Sequence, residues 1–119
     1  MVQDSPKIIL EYAQNAAIAT LTDEKILEET DIQAIESTIM PLIEQTASIN
    51  LVLDFSNVFF LSSAVLGLLI RISKKVYESN GQLRLCSINK KIFQIFTITR
   101  LDKIFDIHED RQSALDSLN

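Results

Sequence analysis

The sequence predicts an α/β domain: a mostly parallel central sheet with one antiparallel strand at its amino end and about four helices. Three observations carry that expectation. Short apolar runs alternate with stretches of helical periodicity along nearly the whole chain, the pattern of parallel strands joined by right-handed helical crossovers. Residues 51–55 (LVLDF) are apolar apart from one aspartate, as a strand covered on both faces requires. Residues 7–12 (KIILEY) and 16–22 (AAIATLT) flank the polar pair Gln14 and Asn15, so the first two strands form a hairpin.

After the hairpin, residues 23–29 (DEKILEE) make an acidic connection. Thr30 with Gln33 three residues later has the form of a capping box, and a helix is expected to start there. Ile32, Ile35, Ile39, Leu42 and Ile43 recur at helical spacing and face a core. Pro41 interrupts this pattern and should kink the helix or divide it. The strand at 51–55 leads through residues 58–61 (VFFL) to Ser62 and Ser63. At least one of Phe59 and Phe60 should point inward, leaving the other as a possible partner anchor.

A second helix follows, with Val65, Leu68, Leu69, Ile72 and Val76 as its apolar stripe and Arg71, Lys74, Lys75 and Glu78 opposite. Asn80 and Gly81 end it with a residue suited to the left-handed conformation. Residues 83–87 (LRLCS) form the next strand, and Asn89 caps a short helix carrying Ile92, Phe93 and Phe96 inward. Residues 104–107 (IFDI) read as a last strand. Residues 110–118 read as a closing helix with Ala114, Leu115 and Leu118 apolar.

Composition narrows the function classes. A chain of 119 residues fits one domain over 1–119, and 47% hydrophobic with 23% charged residues is ordinary for a folded soluble protein. The single Cys86 lies in an apolar run and reads as a buried small hydrophobe in a reducing compartment. There is no apolar run of roughly eighteen residues, and residues 1–7 (MVQDSPK) lack the basic start and apolar stretch of a secretion signal. A cytoplasmic protein without membrane insertion is therefore expected. A net charge of −5, from 16 acidic and 11 basic residues, argues against direct nucleic-acid binding. With two glycines there is no GxGxxG or GxxxxGK[ST] phosphate cradle. The only histidine, His108, reads as a solvated residue at a helix start, and no GxSxG elbow is present to use it. One histidine and one cysteine leave only carboxylates for a metal, and the acidic stretch from Asp23 to Asp31 reads as a solvated loop. Neither a cofactor nor an enzymatic activity is expected.

Ser62 and Ser63 are the most informative pair. A serine between a covered strand and an amphipathic helix can simply cap that helix, its hydroxyl accepting from free backbone N–H groups. The same position also suits a switch. A hydroxyl there lies at the carboxyl edge of a parallel sheet, where such sheets bind ligands. Phosphorylation would add about −1.5 to −2 charge, which the helix amino terminus tolerates and a docked partner does not.

The stretch from 51 to 69 (LVLDFSNVFFLSSAVLGLL) resembles the signature of the STAS domain, in the pattern of the bacterial anti-sigma factor antagonists. That family has an apolar strand followed by a phrase such as F-[ML]-D-S-[ST]-G-L-G. Without a gap, Ser63 falls on the phosphorylated serine, Ser62 on the preceding aspartate, Ala64 on the second Ser/Thr and Val65 on the first glycine. Residues 81–86 (GQLRLC) and 99–105 (TRLDKIF) resemble later family segments, the latter an L-x-K-[IL]-F ending. Where the family has G-[DE]-[LI]-D after the second strand, this chain has residues 22–26 (TDEKI). The resemblance implies docking through Ser62, Ser63, Ala64, Val65, Asp23 and Glu24. It implies phosphorylation of Ser63, with Ser62 the fallback, by an anti-sigma factor that is also a serine kinase, and reversal by a phosphatase. The alternative is a STAS adaptor outside transcription, such as a lipid-transport ATPase subunit or a signalling scaffold. The oligomeric state is left open.

Overall fold

A computed structural model describes residues 7–118; residues 1–6, read above for a secretion signal, lie outside them. The hairpin forms as expected: β1 (Ile8–Ala13) and β2 (Ala16–Leu21) pair antiparallel, Ala13 opposite Ala16. Gln14 and Asn15 both take positive φ, 53° and 66°, giving a two-residue turn whose twist matches the flanking strands. The chain continues through β3 (Lys25–Ile26), α1 (Glu29–Gln45), β4 (Asn50–Asp54), β5 (Phe60–Leu61), α2 (Ser63–Glu78), β6 (Gln82–Cys86) and α3 (Lys90–Ile98). A 3-10 turn at Leu101–Lys103, β7 (Ile107–His108) and α4 (Arg111–Asp116) complete it.

The main sheet has the order β1-β2-β4-β6-β7, and every pairing after the first is parallel. The predicted stripes explain the layers. Ile32, Ile35, Ile39 and Ile43 from α1 and Val65, Leu68, Leu69, Ile72 and Val76 from α2 are buried in one core with Leu51, Leu53, Leu83 and Leu85 of the sheet. Ile92 and Phe96 of α3 join that core. On the opposite face, Ala114 and Leu115 of α4 cover Ile18, Val52 and Cys86. Burial pushes the Cys86 thiol up to about 11, the behaviour of an inert core cysteine. Among the described residues, no helix is long and apolar enough to cross a membrane.

Several local expectations are corrected. The N-cap of α1 is Glu28 rather than Thr30, and the Asp31 carboxylate accepts from the Glu28 N–H at 3.1 Å. The carboxylate, already held by Lys7 at 3.0 Å, is the stronger acceptor, so the helix starts two residues early. Pro41 does not divide α1, which runs unbroken. The carbonyl that its ring leaves unpaired belongs to Ser37, and both residues are exposed, so water can serve it. Ile92 and Phe96 turn inward, but Phe93 is 40% exposed because the stripe of α3 follows i, i+4 only.

The strand expected at 104–107 begins only at Ile107. Of the apolar residues before it, Ile104 is largely exposed, while Phe105 is buried and meets Phe96 edge to face at 6.0 Å. His108 is not at a helix start: it sits part-buried in β7, its Nε2 2.9 Å from Asp106 Oδ1. At the end of α2 the left-handed residue expected of the Asn80–Gly81 pair is there, and it is Asn80 (φ 63°). Gly81 is needed for space, because a Cβ there would lie 2.2 Å from the Ile49 carbonyl oxygen.

Candidate partner-docking site

The parallel strands β2, β4 and β6 bring their carboxyl ends to one pole, and the segments leaving them are sewn together there. Asn57 Nδ2 donates to the Leu21 carbonyl at 3.2 Å, and Asn89 Nδ2 donates to the Val58 carbonyl at 3.2 Å. The Glu24 carbonyl accepts from both Phe59 N–H (2.8 Å) and Phe60 N–H (3.1 Å), and Ser62 N–H donates to the Ile26 carbonyl at 3.0 Å. These bonds accompany a small parallel pair, β3 with β5, that the sequence reading missed. Two-residue strands give no periodicity to detect. What the acidic stretch did offer was Lys25 and Ile26 in alternation, exposed then buried.

Within the acidic stretch Lys25 and Ile26 form a strand, while Glu24, Glu28 and Glu29 are exposed, as expected of a solvated connection. Lys7 pairs with Asp23 and with Asp31, and both contacts raise its pKa, Asp23 foremost. Asp31 is held below the ordinary carboxylate value first by the Lys7 hydrogen bond and then by the Glu28 N–H. Among the described residues no group of three His, Cys, Asp or Glu side chains is placed to hold a metal.

The structure places the two serines differently. Ser63 is the first residue of α2 and is exposed, as is Ala64. Ser62 is the N-cap residue by backbone (φ −88°, ψ 163°), but its hydroxyl makes no capping bond. That oxygen is sealed from solvent with no hydrogen-bond partner, contrary to the capping expected of it. Val65 is 1% exposed and belongs to the core, so it offers a partner no surface. The register of β3 with β5 puts Ile26 beside Ser62 and leaves Asp23 and Glu24 at the other end of the pair, level with Phe59, Glu24 exposed and Asp23 partly so.

Phe59 and Phe60 are corrected too: both are exposed, at 50% and 43%, while Val58 beside them is buried. They line a shallow apolar groove of about 310 Å³ with Leu27 and Ile95. Lys25 and Lys91 flank it, each ammonium over the Phe60 ring, 5.7 and 5.5 Å from its centroid.

The strand order, the serine at the start of α2 and the paired 23–26 segment meet in a sequence match as well. The family model for the STAS domain matches residues 12–114. The chain belongs to the STAS domain family. Among its relatives is an anti-sigma F factor antagonist of Paenibacillus polymyxa, 22% identical over 112 residues, 94% of each chain. In structure this STAS domain is similar to an anti-sigma-factor antagonist domain protein from Planctomyces limnophilus. The TM-score is 0.85 at 21% identity, over 92% of this chain and 96% of that one. It is also similar to the Bacillus cell fate determinant SpoIIAA in its phosphorylated form, with a TM-score of 0.70 at 16% identity, over 92% of this chain and 96% of that one.

Proposed function

We propose that this STAS domain is a cytoplasmic anti-sigma factor antagonist, docking an anti-sigma factor that is also a serine kinase and released when that kinase phosphorylates Ser63. The observation that carries the reading is the exposed Ser63 at the first position of a sixteen-residue helix, beside a loop fixed by backbone hydrogen bonds. A relative bearing the anti-sigma F factor antagonist name and a structural neighbour in phosphorylated form support it. Ser62 is disfavoured as acceptor, since a kinase has no route to a sealed oxygen.

The mechanism is local electrostatics. A phosphoryl group at Ser63 brings about −1.5 to −2 charge where a neutral hydroxyl stood when the partner closed over it. The free N–H groups of the first turn of α2 and its dipole accept that charge within the domain, so the fold stands while the interface fails. The partner surface is formed by Ser63 and Ala64 and extends along the β3–β5 pair to Glu24 and Asp23 at its other end. Residues 1–119 act as one module with no turnover of their own, and a phosphatase restores the hydroxyl.

The test is incubation of the protein with the anti-sigma kinase and ATP, followed by mapping of the phosphate by mass spectrometry. Phosphate on Ser63 and lost binding in Ser63→Asp are expected. An unmodified Ser63 would refute the switch, and Ser63→Asp that binds unchanged would refute its electrostatic basis. Val65 and Ser62, which stand where the family has glycine and aspartate, favour a second reading as an adaptor outside transcription. A lipid-transport ATPase subunit recovered as the physiological partner, with no kinase, would decide for it.

A further inference from the structure

We infer that the groove between β5 and α3 receives an apolar side chain of a protein partner that is flanked by acidic residues. The inference deepens the docking reading by naming the partner's chemistry, and it does not require Ser63 to be phosphorylated. The apolar half rests on Leu27, Phe59 and Phe60, large hydrophobic side chains left 49%, 50% and 43% exposed around one depression. Isolated exposed hydrophobics are ordinary, but three converging on a concave site mark a contact surface.

The acidic half rests on charge. Lys25 and Lys91 stand over the Phe60 ring, and among the described residues neither pairs with a carboxylate. Lys90 beside them is exposed and likewise unpaired among the described residues. In a chain with 16 acidic and 11 basic residues, three neighbouring lysines without a carboxylate partner among the described residues are notable at this edge. Two of them, Lys90 and Lys91, open α3, where the helix dipole disfavours cations and favours an incoming anion. An apolar side chain entering the groove would desolvate the lysines unless its own flanks carried carboxylates to meet them. The volume of about 310 Å³ is room enough for one large side chain and its immediate neighbours. The groove also adjoins the serine surface: Ser62 N–H is bonded to Ile26, next to Lys25. A single partner can cover both.

The test is selection of a random twelve-residue peptide library, displayed on phage, against the full chain. Enriched peptides should carry a Leu, Ile, Met or Phe with Asp or Glu on either side, and should shift the amide resonances of residues 25–27, 59–61 and 91–95. Their affinity should fall about tenfold or more in Phe60→Ala and in the doubly reversed Lys25→Glu/Lys91→Glu, which changes only exposed side chains and keeps the fold. Ser63→Ala should bind them as the parent does, which separates this inference from the phosphoswitch. No enrichment, enrichment of basic or uncharged sequences, or undiminished binding to the Lys25→Glu/Lys91→Glu variant would overturn it. Two other results would overturn it by naming another occupant: binding to phosphatidylglycerol vesicles, or self-association lost in Phe60→Ala.

Discussion

Ser62 holds the N-cap backbone of α2 while its hydroxyl, buried, bonds to nothing. A capping serine normally contributes about 1 kcal/mol, lost on change to alanine. Here there is no bond to lose, and an unsatisfied buried hydroxyl is itself a cost of about 1–3 kcal/mol. Ser62→Ala is therefore expected to leave the urea midpoint unchanged or raise it; a fall equivalent to about 1 kcal/mol would show that the hydroxyl does cap. Gly81 gives the opposite case. An alanine Cβ would stand 2.2 Å from the Ile49 carbonyl oxygen and 3.1 Å from Val76 Cγ1, so backbone must move. Gly81→Ala should lower stability by about 2–3 kcal/mol in the same titration. Neither effect was legible in the sequence. A serine before a helix reads as a cap, and Asn80-Gly81 reads as a left-handed terminus, whichever of the two residues bends.

At the scale of elements, the start of α4 is tied to the sheet by one side chain, in addition to the packing of Ala114 and Leu115. Arg111 donates to Asp54 Oδ2 at 3.0 and 3.1 Å, to Thr20 Oγ1 at 3.0 Å and to Glu11 Oε1 at 3.1 Å. Burial works against its charge, but the Asp54 hydrogen bond and charge outweigh that and leave its pKa raised. Asp54 is 3% exposed. Arg111→Ala would strand that carboxylate and should cost about 2–3 kcal/mol, at the low end for a buried pair because the arginine side chain is 37% exposed. Faster amide exchange across α4, measured by mass spectrometry, should accompany the loss. The start of α1 depends on Asp31 and Lys7 in a related way. Because its folded pKa is depressed, Asp31 supports folding fully above the ordinary value of 3.8 and stops doing so as pH falls through the folded value. Lys7→Met should move the Asp31 titration upward toward 3.8, as read from carboxyl carbon shifts. The long amphipathic helices and the covered strand were legible because each repeats its signal over several residues. The two-residue strands, the 3-10 turn and the true N-cap of α1 were not, since pairings and ion pairs with residues far along the chain decide them.

Taken as a whole molecule, the domain separates what keeps it folded from what it presents. The sheet order, three of the helices and the principal core serve the fold. The carboxyl pole presents the exposed serine, the β3–β5 pair and the groove. A charge added at Ser63 should respect that separation. Ser63→Asp places a carboxylate where the dipole of α2 favours it and should hold or raise stability by about 0.3–1 kcal/mol. Partner binding should nevertheless fail in the same protein. Unfolding curves and a pull-down on one preparation would check both, and a destabilised Ser63→Asp would collapse the distinction. The pole itself was half legible: the strand-to-helix junction is written locally in residues 51–69, whereas the groove joins positions as far apart as Lys25 and Ile95.

The thin cover over the second face of the sheet has a practical side. Ile18, Val52 and Cys86 are shielded there by Ala114, Leu115 and Leu118. A version shortened before residue 110 would lay a hydrophobic sheet surface and a thiol open to solvent. Such a fragment should clump or cross-link through oxidised Cys86 even though the other three helices remain intact. Expression tags are better spaced from the carboxyl end by a flexible linker than fused tightly to it.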